Sequence, residues 1–197
     1  MKVTSLTALA GAALLASATL SFAEQTFKTD PGHTEVRFGW SHAGVSFQTA
    51  EFDKVSGTLV LDRDNIEASK VSVTVDTTSV STGFEVFDEH IQAPAYFDTG
   101  AHPEMTFTST EIKLTGDTTA KITGDLTIKG VTQPLELDAE LTFQGDHPVA
   151  QFFDSYKGDW VAFSLRGEIA DHMSFGVGQF PTGPISLFID TEMQIVE

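Results

Sequence analysis

The sequence contains no cysteine, which excludes several kinds of site at once. Without a thiol there is no nucleophilic cysteine, no CxxC redox pair and no metal site with cysteine ligands. Disulfides are excluded as well, so the fold must depend on a packed interior and on hydrogen bonds. The GxSxG nucleophile elbow, the GxGxxG dinucleotide fingerprint and the P-loop are also missing. The sequence therefore gives no motif for these enzyme classes.

Basic residues are scarce, with 11 Lys and Arg against 28 Asp and Glu, a formal net charge of −17. Such a chain repels nucleic acid and anionic lipid headgroups, so we expect no nucleic-acid partner. The acidic residues are spread along the chain, which is typical of a solvated surface.

Long hydrophobic runs are confined to the first 23 residues. This segment has one positive charge at Lys2, small and apolar residues to Leu20, and Ser-Phe-Ala before Glu24, a pattern typical of a secretory signal peptide. A membrane anchor is the alternative, but the run is short and broken by Ser and Thr. We expect residues 1–23 to be a signal peptide and residues 24–197 to form one exported, periplasmic domain without stable membrane insertion.

Alternating apolar and polar residues dominate the rest of the chain, as in strands with one buried face. The segment from Asp125 to Phe143 shows this on both sides of a break at residues 130–134, which predicts a hairpin. Eight strands are predicted around residues 34–40, 55–62, 69–76, 103–114, 119–128, 135–143, 160–169 and 185–195. Eight evenly spaced strands favour an all-β, up-and-down antiparallel barrel, with a two-sheet sandwich as the alternative.

One segment has helical spacing instead. Phe84, Phe87 and Ile91 would share a helix face that ends before Pro94. With Tyr96 and Phe97, this insertion would lie across one end of the barrel, either as a lid or as a plug.

The interior should be rich in phenylalanine. Strand phase places Phe38, Phe107, Phe143 and Phe163 on inward faces. An eight-stranded barrel is either just filled by its side chains or wide enough for one small ligand. The residues alone leave open an ordinary aromatic core and a ligand channel.

Histidines and carboxylates give no clear catalytic or metal motif. The six His show no HxxxH or HExxH spacing, so we expect no metal site. Asp88, Glu89 and Asp98 could form an acid/base pair in an exported enzyme acting on a hydrophobic substrate. Roles in a helix terminus and a turn are the alternative for Asp88 and Asp98.

Three blocks of the chain resemble, in order, the YceI-like family of exported polyisoprenoid-binding proteins. They are DPGHTEVRFGWSHAGVSFQTAEFDKVSGTLVLD, STGFEVFDEHIQAPAYFDTGAHPEMTFTST and GDLTIKGVTQPLELDAELTF. The resemblance runs from about Asp30 to Phe143 and continues more thinly to Glu197. Near the end, DHMSFG stands where the family tends to have an Arg before its Phe-Gly.

This resemblance implies a lipocalin-like eight-stranded antiparallel barrel with a short helical insertion near one end. It implies a channel for a long isoprenoid or other lipid, no catalysis, no cofactor and a possible homodimer. Family positions and strand phase together predict these ligand-binding residues: Phe38, Trp40, His42, Phe47, Phe84, Phe87, His90, Ile91, Phe97, Phe107, Phe163 and Phe175. We therefore expect a lipid carrier, with an exported enzyme and a filled-core interaction protein as alternatives.

Overall fold

The structure, a computed structural model, describes residues 24–196, so the predicted signal peptide lies outside the described residues. The helix α1 is Glu85–Gln92, and five short 3₁₀ helices occupy Ile66–Ala68, Thr77–Ser79, Pro148–Gln151, Asp154–Tyr156 and His172–Phe175. The ten strands are β1 (Gln25–His42), β2 (Ser46–Phe52), β3 (Val55–Leu61), β4 (Lys70–Asp76), β5 (Val80–Ser81), β6 (Glu104–Leu114), β7 (Thr119–Ile128), β8 (Val131–Asp146), β9 (Asp159–Ile169) and β10 (Ile185–Ile195).

These strands occupy the eight positions of one closed antiparallel barrel. Around the ring the order is β1, β3, β4, β6, β7, β8, β9 and β10, and β10 pairs with β1 to close it. Along one edge β1 pairs first with β3 and then with β2, so β2 and β3 share one position. In the same way β4 pairs with β3 and β5 with β2. The predicted eight-stranded barrel is confirmed, and the pairing of β10 with β1 closes the ring.

Two bulges change which residues point inward. Between Ser109 and Glu111 the register of β6 against β7 shifts, and a second shift lies between Leu141 and Phe143, where β8 pairs with β9. An extra residue reverses the inward and outward alternation beyond it. For this reason Phe143, expected above to face inward, lies on the outer side, where its ring is 6.2 Å from that of His147.

The β7–β8 hairpin is tighter than the predicted break at residues 130–134. Its turn consists of Lys129 and Gly130, both with positive φ (51° and 76°), as a type I′ turn requires. Pro134 lies inside β8, opposite Asp125. The pairing of β8 with β9 begins only at Leu137, so the proline has no ladder partner on its other side and needs no N–H there.

Buried apolar residues form two clusters. The larger one surrounds Phe38, Phe52 and Phe97 and extends along the barrel. The smaller one, around Phe27 and Val161, lies at the opposite end, where β1 begins. Among residues 24–196, no helix has the length and apolar character needed to cross a membrane.

Candidate functional site

The barrel encloses an apolar cavity of about 1020 Å³, which we call the channel. Pockets that take drug-sized molecules measure roughly 300–1,000 Å³, so the volume is at the upper end of that range. Eight of the strands contribute inward side chains at every second position, for example Ile122, Leu126 and Ile128 of β7. The interior is therefore hollow, although it is also rich in phenylalanine.

At one end an aromatic group forms the channel wall. The ring of Phe38 lies 5.3 Å from that of Phe52 and 5.9 Å from that of Phe97, and the last two rings are 5.4 Å apart. Edge-to-face and stacked contacts of this kind stabilise by about 0.5–1.5 kcal/mol beyond burial itself. All three rings are buried, and Phe97 belongs to the segment that follows α1.

The helix α1 lies over this end, as predicted for the insertion. Its Phe87 ring is 5.9 Å from the ring of Trp40, and Ile91 is buried. The His90 imidazole lies within hydrogen-bond distance of the Tyr96 hydroxyl, 3.1 Å from Nε2 to Oη. Both residues line the channel, so this end offers polar groups beside an otherwise apolar wall.

A second loop, residues 171–184, closes the same end and was not predicted apart from Phe175. His172 is buried, and its Nδ1 donates to the Val177 carbonyl at 2.6 Å. Its Nε2 lies 3.1 Å from the Thr182 hydroxyl. The N–H of Gly178 donates to the carbonyl of Ala95 at 2.9 Å, which joins the loop to the segment after α1. The dense glycine and proline in FGVGQFPTGP indicate a loop, but nothing in the sequence indicates which end it covers.

The opposite end of the channel contains the charged lining residues. Among the described lining residues there is one Arg, Arg63, and one Asp, Asp117, and there is no Glu or Lys. The Arg63 guanidinium is paired with Asp159 and bonded to Gln25, and its Cζ lies 6.0 Å from the Phe27 ring centroid. A ligand in the channel would therefore meet little uncompensated charge.

Inward glycines keep the channel open where side chains would narrow it. A Cβ at Gly124 would collide with the ring of Phe107, and one at Gly167 would collide with Leu137. Both glycines lie on the inward face of their strands, opposite residues of the neighbouring strand. The Phe107 and Leu137 side chains can therefore lie flat against the wall.

Ten of the predicted ligand-binding residues lie together in the channel lining, and two do not. Phe47 is 56% exposed and lies across Gly39 on the outer face of the barrel, and Phe84 is 64% exposed at the start of α1. The structure thus places these two rings outside the channel. The ten that line it are Phe38, Trp40, His42, Phe87, His90, Ile91, Phe97, Phe107, Phe163 and Phe175.

The carboxylates considered for acid/base chemistry lie outside the lining. Asp88 accepts hydrogen bonds from the N–H and the hydroxyl of Thr82, each at 2.6 Å, across the start of α1. Asp98 has a φ of 50°, and its carbonyl accepts from the N–H groups of Ala101 and His102 in a turn. These are the helix-terminal and turn arrangements named as the alternative above.

Known proteins resemble this chain in sequence and in fold. The family model of the YceI-like domain matches residues 27–195. A UPF0312 protein of Pectobacterium atrosepticum is 37% identical over 155 residues, covering 78% of this chain and 80% of that protein.

Two solved structures have the same fold. Burkholderia cenocepacia BcnA has a TM-score of 0.71 at 19% identity, covering 83% of this chain and 98% of BcnA. A polyisoprenoid binding domain from Saccharophagus degradans, implicated in plant cell wall breakdown, has a TM-score of 0.56 at 13% identity, with 88% and 99% covered. At these identities the likeness is one of fold.

Proposed function

The chain belongs to the YceI-like domain family, and we propose that it is an exported carrier that holds one polyisoprenoid or other long-chain lipid in its channel. The observation that carries this proposal is the hollow, apolar interior of about 1020 Å³. The polyisoprenoid binding domain of Saccharophagus degradans, which shares the fold, supports the same class of ligand.

Burial of the ligand chain is the main source of affinity in this proposal. Each CH2 group moved from water into the channel contributes about 0.8 kcal/mol. A tail of about fifteen carbons would gain on the order of 10 kcal/mol before ordering costs. No charge pairing is needed for this, which agrees with a lining whose described residues include no Asp, Glu, Lys or Arg other than Arg63 and Asp117.

The head group would lie at the α1 end. His90 and Tyr96 line the channel there, and both can exchange hydrogen bonds with a carbonyl or hydroxyl group. The lining at this end contains no Lys or Arg among the described residues. A head group without a strong negative charge is therefore favoured.

Bound lipid can be sought directly. Organic extraction of the purified protein, followed by mass spectrometry, should yield about one molecule of a long-chain lipid for each molecule of protein. Titration of the emptied protein with a fluorescent long-chain probe should saturate at one site. The proposal is overturned if the protein yields no extracted lipid and also takes up no probe. Turnover of the lipid by the purified protein would favour an enzyme instead.

Export is tested separately. The first strand begins at Gln25, directly after the predicted cleavage site. Cell fractionation with intact-mass measurement should find the protein in the periplasm, beginning at Glu24. A cytoplasmic protein that retains residues 1–23 would overturn the carrier location but not lipid binding.

A further inference from the structure

A four-residue bulge on the seam between β1 and β10 brings two carboxylates and an imidazole together outside the channel. Thr29 pairs with Met193 and Thr34 pairs with Thr191, so residues 30–33 of β1 lie opposite the single residue Glu192. Thr191 and Met193 line the channel, so Glu192 points outward, toward the bulge. One ligand atom from each of Asp30, His33 and Glu192 lies within 4.8 Å of the others.

The bulge itself is held in a defined shape. The Asp30 carboxylate accepts from the Gly32 N–H through Oδ1 at 2.8 Å, and its Oδ2 lies 2.8 Å from His33 Nδ1. The hydrogen bond to Asp30 raises the pKa of His33, and the nearby Glu192 charge adds to it. Partial burial raises the pKa of Asp30, but the hydrogen bonds from His33 and Gly32 outweigh it, so the net pKa is lowered. Asp30 is thus a stable carboxylate at neutral pH.

Glu192 is positioned by a second histidine. His147 Nε2 lies 3.2 Å from Glu192 Oε2, while His147 Nδ1 accepts from the Val149 N–H at 3.3 Å. This arrangement fits the tautomer with its proton on Nε2, which donates to Glu192. The imidazole packs against Tyr156 and Trp160, with ring centroids 4.7 Å and 4.9 Å away. His147 therefore orients the carboxylate, as outer hydrogen-bond partners do for metal ligands.

No Lys or Arg among the described residues neutralises the two carboxylates. Within residues 24–196, neither Asp30 nor Glu192 forms an ion pair with a Lys or Arg, and their only ion-pair partners are His33 and His147. Two adjacent negative groups in a chain of net charge −17 favour a bound cation at this point.

We propose that Asp30, His33 and Glu192 bind one divalent transition-metal ion, for which Zn²⁺ is the best match, on the outer seam of the barrel. An imidazole with two carboxylates is a mixed N/O donor set that suits zinc, with a fourth position left for water. Zinc lies about 2.0–2.2 Å from such ligand atoms, so they must come within roughly 4 Å of one another. The ligand atoms now lie within 4.8 Å of one another, so metal binding would draw them closer together. The ion would fasten the β1 bulge to β10.

No sequence motif signals this site, because Glu192 is far from the Asp30-to-His33 bulge along the chain and is brought to it only by barrel closure. The proposal departs from the expectation of no metal site, which rested on histidine spacing alone. It is independent of the proposed function, since Asp30, His33 and Glu192 do not line the channel.

The test is isothermal titration of the untagged chain, beginning at Glu24, with Zn²⁺ alone. We expect one site in the parent protein and none in Asp30→Asn, His33→Gln or Glu192→Gln. His147→Gln should weaken binding about 10- to 100-fold, because it removes only the group that orients Glu192. His102→Gln, a half-buried histidine elsewhere, is the matched control and should bind as the parent does.

A second measurement keeps the result independent of folding. Zn²⁺ should raise the melting temperature of the parent and of His102→Gln, but not that of His33→Gln, whose melting temperature without metal should stay near the parent value. The proposal is overturned if the parent takes up no Zn²⁺ at millimolar concentration. It is also overturned if folded His33→Gln and Glu192→Gln bind it as tightly as the parent.

Discussion

Replacing Ala139 by phenylalanine separates a hollow barrel from a packed one. Ala139 lies on the inward face of β8, opposite Ala120 of β7, and both residues line the channel. In a tightly packed core an added ring forces neighbours to move and costs about 1–3 kcal/mol or more. Beside a cavity of about 1020 Å³ the ring can instead occupy empty space and bury its own surface, which contributes up to about 1.5–3 kcal/mol.

We therefore expect Ala139→Phe to leave the melting temperature unchanged or raised, while the affinity for a fluorescent long-chain probe falls at least tenfold, or about 1.4 kcal/mol. Glu140→Phe, which adds the same ring to the exposed outer face of the same strand, is the matched control and should bind the probe normally. The melting temperature is measured by circular dichroism during heating, and the affinity is measured by titration with the probe. A strongly destabilised Ala139→Phe would mean that the barrel is tightly packed at this position. Probe binding equal to that of the parent would mean that the probe does not occupy the channel beside Ala139.

Three further predictions concern the channel wall, the aromatic group and the outer surface. Phe107→Asp should abolish probe binding because it puts a carboxylate into the apolar channel, whereas Thr108→Asp on the exposed face of β6 should not. Phe97→Ala should lower the free energy of unfolding by about 3 kcal/mol, since it removes the ring beside Phe38 and Phe52, as denaturant titration can measure. Partial burial raises the pKa of Asp190, but hydrogen bonds from Ser164 and Arg166 outweigh it and the net pKa is lowered. Its ionised form thus stabilises the fold above about pH 4, and this contribution disappears as the pH falls through the folded-state pKa.

Each of these predictions has a contrary outcome. Equal losses of probe binding in Phe107→Asp and Thr108→Asp would mean that the inward face of β6 is assigned wrongly. Phe153→Ala removes a ring that is 60% exposed. If Phe97→Ala is as stable as Phe153→Ala, Phe97 is not part of the core. Asp190→Asn should cost no more than about 1 kcal/mol at pH 7, because Asp190 is partly exposed. A cost of Asp190→Asn that grows, and does not shrink, as the pH falls below about 4 would contradict the assigned pKa direction.

The strands were predictable because burial on one face leaves a period of two in the sequence. β6, β7, β9 and β10 begin and end within one residue of the predicted bounds. The short strands β2 and β5 were missed, since β5 has only two residues and β2 is mostly exposed. Their pairing depends on the length of β1 rather than on their own pattern.

The channel residues were predictable to the extent that strand phase stays regular. Phe107 lies before the bulge in β6 and lines the channel as predicted from the alternation. Phe143 lies after a bulge in β8 that no residue type in the sequence predicts. Phe47 shows a different limit, because an apolar ring on a strand can cover a glycine on the outer face instead of facing inward. The loop at residues 171–184 contacts the segment after α1, which is far away along the chain. Local sequence patterns cannot predict such long-range contacts.

A crystal structure of the protein purified without lipid removal would show whether the channel is hollow and holds a lipid. We expect a continuous tube of electron density that runs from α1 toward the end with Arg63 and Asp117, long enough for an extended alkyl or isoprenoid tail. Side chains from opposite strands that interlock and leave no hollow for a ligand would contradict it.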